Sequence, residues 1–114
     1  MIDNNDVWVY IAGPYTNPDP IIGTRNAVLV ADEVESWGMV PIVPHLSMLW
    51  HLISPHEDID FWYHYDMRLL KKCDALLRLP GASTGADAEV ERAEFWHKPV
   101  FHNKVDLFNW HHSG

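Results

Sequence analysis

At 114 residues, 47% hydrophobic and 21% charged, the sequence has the size and balance of one folded domain spanning 1–114 around a single core. Eight Lys and Arg against sixteen Asp and Glu give a net charge of −8. That argues against binding a nucleic-acid polymer, because neutralising phosphates needs clustered cations, but it leaves room for one small anion in a local cradle. Cys73 stands alone, so neither an intrachain disulfide nor a thiolate metal cage can form. No stretch resembles a signal peptide, and no apolar run reaches the roughly 18 residues of a membrane span, so a cytoplasmic protein without membrane contact is expected.

In chain order, Val7–Ala12 is a β-rich apolar run stopped by Gly13-Pro14, which predicts a first strand. Asp19-Pro20 can open a helix, and Ala27, Leu29, Val30, Ala31, Val34 and Trp37 carry helical spacing up to Gly38. Met39–Val43 reads as a second strand, with Pro41 pointing to an edge position. Residues 44–58 are loop-like, although 46–53 could form a short helix. Ile59–Lys72 has helical periodicity through Phe61, Tyr65, Leu69 and Leu70. Asp74–Leu79 is expected as the third strand, Thr84–His97 as the next helix, and Pro99–Phe101 as the start of a last strand. Residues 105–114 form a polar-aromatic tail, read as a short helix or a partner contact. Alternating strands and helices predict an α/β fold: a three-layer, doubly wound parallel sheet of about four strands, Rossmann- or flavodoxin-like.

Ser83–Glu89, Ser-Thr-Gly-Ala-Asp-Ala-Glu, is the most informative stretch. It follows the break Pro80-Gly81 and leads into a helix, so it lies where a parallel strand ends and open α/β sheets bind ligands. Free N–H groups of a first helical turn make such a loop an anion cradle, with Glu89 one turn behind it. The loops 13–19 and 80–85 should line one crevice. Asp87 adds negative charge to the same turn, which opposes a phosphate unless it points outward or Arg25 compensates. Six Trp are unusual; packing in the core or between subunits explains them, while Trp50 or Trp62 could instead stack on a flat ligand.

Three motifs, in order, resemble the nucleoside 2-deoxyribosyltransferase superfamily. They are Tyr10-Ile-Ala-Gly-Pro-Tyr15, Asp66-Met-Arg-Leu-Leu-Lys-Lys-Cys-Asp74, and the Ser83–Glu89 loop followed by Ala93 and Lys98-Pro99. The superfamily also contains deoxynucleoside-monophosphate N-glycosidases and small phage and bacterial domains. The resemblance implies cleavage of an N-glycosidic bond, or deoxyribosyl transfer, on a nucleoside or its 5′-monophosphate, with no cofactor. It implies Glu89 as nucleophile and Asp66 as its assistant, with Tyr10, Gly13, Tyr15, Ser83 and Gly85 holding substrate. It also implies a homodimer or higher homo-oligomer, with the middle segment covering the crevice or forming the subunit surface. The same residues have plainer readings: a first-turn Glu favoured by the helix dipole, a surface Asp66, an N-cap at Ser83 or Thr84, a strand-end Tyr10 whose hydroxyl could bond a carboxylate. Asp74 is expected to cap the turn from helix to strand. A non-catalytic nucleotide-binding module on the same scaffold remains an alternative. A histidine metal site at His45, His51, His56 and His64 is a weaker one, since no pair has the i, i+4 spacing of a helical zinc site and no metal is expected.

Overall fold

The computed structural model describes residues 5–16, 19–58 and 60–113. The elements are β1 (Trp8–Ala12), α1 (Pro20–Ser36), β2 (Val40–Ile42), a 3₁₀ turn (Pro44–Leu46), α2 (Ser47–Ile53), α3 (Phe61–Lys72), β3 (Ala75–Arg78), α4 (Thr84–Phe95), β4 (Val100–Phe101) and α5 (Lys104–His112). Residues 17 and 18 of the 13–19 loop, and Ile59 at the expected start of the third helix, lie outside the described residues.

All strand pairs are parallel, in the order β2-β1-β3-β4. Pro41 lies on the edge strand β2, as its missing N–H requires. β1 connects to one neighbour through α1, and the chain then returns past β1 to β3, so strand order reverses between β1 and β3. Right-handed crossovers therefore put α1 on one face of the sheet and α3 and α4 on the other.

Alternation along the strands builds two cores. Val9, Ile11, Leu77 and Leu79 pack with Ala27, Val34 and Met39 beside α1, and with Leu107 of α5. Tyr10, Ala12 and Leu76 pack on the opposite face with Met67 and Leu70 of α3 and Ala86 and Ala93 of α4. The result is the expected three-layer doubly wound sheet. The tail is the helix α5, started by the Asn103 side chain accepting from the Asp106 amide and tied to α1 by Lys104 and Glu33 at 2.9 Å.

One local expectation needs correction. Asp74 does not cap the turn before β3; its Oδ2 accepts the Trp8 amide at 2.9 Å, locking the start of β1 to its neighbour. The end of α3 is held instead by Lys98 Nζ, which donates to the carbonyls of Lys71 and Cys73. The tryptophans divide: Trp37 and Trp96 pack against the two cores as expected, while Trp8, Trp50 and Trp110 are exposed.

Candidate active site

Residues that end β1 and follow β3 meet at the reversal of strand order, the position where open α/β sheets bind ligands. A cleft of about 360 Å³ opens there, lined by Gly13 and Tyr15 after β1, Ser83, Gly85 and Glu89 at the start of α4, and Asp66 from α3. The loops around 13–15 and 83–85 thus share one crevice, as expected.

Glu89 lies one turn into α4, on the side facing the sheet. Burial raises its carboxyl to about 7, while the Tyr10 hydroxyl, which donates to Oε2, and the nearby Arg78 charge pull it down. Tyr10 itself is fully buried beneath the cleft and does not line it; its contribution is the hydrogen bond to Glu89. The expectation that Tyr10 shapes the substrate end of the crevice is thereby replaced by its other reading, a hydroxyl bound to a carboxylate. Burial in an acidic surrounding drives the phenol well above its ordinary value, so it stays a donor.

Asp66 is not a surface carboxylate. It lines the cleft, burial and then the charge of Glu89 raise it to about 7, and its buried Oδ1 has no hydrogen-bond partner. The two acids differ in support: Glu89 has a donor and a cation acting on it, whereas Asp66 has a negative neighbour and no hydrogen-bond partner at Oδ1. These contacts favour the ionised form at Glu89 and the protonated form at Asp66, although burial pushes both carboxyls to about 7.

Ser83 is the N-cap of α4, its Oγ accepting from the Ala86 amide at 3.1 Å. The hydroxyl proton remains free to donate toward the cleft. Gly13 and Gly85 are glycines for different reasons. A Cβ on Gly13 would sit 3.0 Å from Leu79 Cβ, so packing demands its absence. A Cβ on Gly85 would meet nothing closer than Ser83 Oγ at 4.0 Å and would project into open space, so no neighbour within the protein demands its absence.

The rest of the cleft wall comes from the middle segment, whose histidines the sequence offered only as metal ligands and whose Trp62 it offered as a stacking surface. His45 is 4% exposed, and its Nε2 lies 3.2 Å from the carbonyls of both Gly13 and Pro14. Two acceptors on Nε2 require the proton there, and burial lowers the ring's pKa, so Nδ1 is a bare, unpartnered acceptor. His51 and Trp62 form the far wall, with Trp62 Nε1 donating to His51 Nδ1 at 3.0 Å. Trp50 backs Trp62 edge-on with ring centroids 5.1 Å apart and does not line the cleft, so Trp62 is the indole that a flat ligand would meet. The 3₁₀ turn and α2 hold His45 and His51 in place, with α2 falling inside the span 46–53 where a short helix was expected and the middle segment walling the crevice. Among the described residues, no group of three or more His, Cys, Asp or Glu could hold a metal ion.

Asp87 takes the first of its two expected arrangements. It does point away from the cleft, and its partner is Arg78 at 2.9 Å, not Arg25.

No family model matches the sequence, and no curated protein matches it. Solved structures do. The 2-deoxyribosyltransferase from the psychrotolerant bacterium Bacillus psychrosaccharolyticus superposes with a TM-score of 0.63 at 17% identity, over 82% of this chain and 69% of that one. The 2-desoxiribosyltransferase from Leishmania mexicana gives a TM-score of 0.62 at 19% identity, over 82% of this chain and 61% of that one. The chain therefore has the fold of the 2-deoxyribosyltransferases, the family its sequence motifs resemble.

Proposed function

We propose that this protein breaks the N-glycosidic bond of a nucleoside or nucleoside 5′-monophosphate, with Glu89 as nucleophile, and passes the sugar to water or to a second base. The observation that carries this reading is the pairing of two buried carboxyls in one cleft, with opposite support for their ionised forms. A carboxylate beside C1′ stabilises or captures an oxocarbenium-like centre. Glu89 attacks C1′, the C1′–N bond breaks with its electron pair left on the base nitrogen, and neutral Asp66 gives that nitrogen its proton. The acceptor then attacks C1′, the Glu89 ester bond breaks, and the acceptor's proton returns to Asp66. Tyr10 positions Glu89; the Trp62 wall suits a base; the 83–85 loop suits the sugar's 5′ end. The structural neighbours, themselves 2-deoxyribosyltransferases, support sugar transfer as the reaction class. The exposed apolar residues Leu49, Leu52 and Ile53 on the outer side of α2 support self-association through that helix.

Incubating wild type and Glu89→Ala with a panel of deoxynucleosides and their monophosphates tests the proposal. Free base should appear with wild type alone, and release that survives the substitution excludes Glu89. Saturable binding with no base release from wild type would favour a binding module.

A further inference from the structure

Resting on that reading, we propose that the cleft selects the uncharged deoxynucleoside over its 5′-monophosphate, and that Asp87 enforces the choice by holding Arg78 outside the 80–85 loop. None of the described residues lining the cleft is Lys or Arg, while Asp66 and Glu89 both face it. His45 brings no charge, because burial favours its neutral form.

The cation nearest the loop is Arg78, which ends β3 directly before it. Its guanidinium is turned the other way. Nη2 donates to Gly81 O and Asp87 Oδ1, each at 2.9 Å, and Nη1 donates to Leu79 O. With these bonds made, Arg78 lines a separate groove behind the loop, shared with Asp87, Glu91 and Glu94. Its field still reaches Glu89, so the distance is short enough for its release to change the cleft.

The start of α4 is also partly spent as an anion site. Ser83 Oγ occupies the Ala86 amide, Ser83 O the Asp87 amide at 3.0 Å, and the Asp87 carboxylate sits in the first turn against the helix dipole. The amides of Thr84 and Gly85, which a helix leaves without internal acceptors, suit a neutral hydroxyl. A phosphate dianion would add charge beside two acids, with no Lys or Arg among the described residues lining the cleft to meet it.

The test measures kcat/KM for each deoxynucleoside and its 5′-monophosphate. In parallel, calorimetry follows binding of a carbocyclic deoxynucleoside and its monophosphate, which cannot form an oxocarbenium ion. Wild type should favour the uncharged member in binding by about tenfold or more, the scale of one uncompensated charge pair. Asp87 is a specificity-determining residue on the exposed surface, so Asp87→Asn should fold, free Arg78 and narrow that gap; adding Arg78→Met to it should restore the gap. Equal or tighter binding of the monophosphate by wild type, binding of neither compound, or an unchanged gap in Asp87→Asn would overturn the proposal. Intact binding preference without any base release would overturn the glycosidic reaction alone.

Discussion

The two faces of the sheet are built from the same strands and serve different ends. On the α1 and α5 side, Val9, Ile11 and Leu77 meet only apolar partners, aliphatic ones with Trp37 and Phe101 at the margin, and no charged side chain enters the cluster. On the α3 and α4 side, the alternate residues of β1 are Tyr10 and Ala12, and their neighbours Ala86 and Ala93 are small. Small partners let α4 approach closely, and the buried phenol then reaches Glu89. One face contributes stability; the other gives up apolar packing for a polar atom under two carboxyls. Burying acids costs free energy, and the apolar face is where it is offset.

That contrast can be broken at either face. The largest effect is expected from Glu89→Gln, which should lower base release by about a thousandfold or more, as loss of a covalent nucleophile does. Its thermal unfolding should stay level or improve, because a desolvated acid is removed. On the apolar face, Ile11→Ala should cost about 2–5 kcal/mol in urea unfolding, with kcat of the folded fraction unchanged. A comparable loss of kcat there would show that the two faces are not separable.

Stability against pH sharpens the contrast next. Glu89 and Asp66 hold their protons up to about 7, against 4.5 and 3.8 for unperturbed groups. The native state therefore binds more protons than the unfolded chain between roughly pH 4 and 7, so these groups make stability fall as pH rises through that window. Urea titrations of wild type and the Asp66→Asn, Glu89→Gln double variant should differ by a slope of that sign, absent from the variant. The smallest change is Tyr10→Phe. The hydroxyl favours ionised Glu89, so its loss should move the acid limb of the kcat/KM profile to higher pH and lower the rate about tenfold. Stability should shift by no more than about 1 kcal/mol.

Much of the fold was legible because its signals are local. Gly13-Pro14 ends β1, Asp19 caps α1 through the Ile21 and Ile22 amides, and Pro41 marks an edge. Order of motifs along a βα repeat then brings Gly13, Tyr15, Asp66, Ser83, Gly85 and Glu89 to one crevice. What was not legible depends on pairings between distant residues. Nothing in the sequence near Tyr10 shows that it lies under the cleft rather than in it. Nor does spacing pair Arg78 with Asp87, or Asp74 with the Trp8 amide, since those contacts depend on which strands lie side by side. The contacts of His45 were hidden for the same reason: its partners are two carbonyls more than thirty residues away.

Glu89 as the group that bonds to C1′ is the claim on which the rest depends. Intact-mass and peptide mass spectrometry after incubation with a 2′-fluoro-arabinonucleoside, whose fluorine slows both steps, measures it directly. The protein should gain the mass of one fluorosugar, located on Glu89. Base release with Glu89 unmodified, or the sugar located on Asp66, would contradict the account.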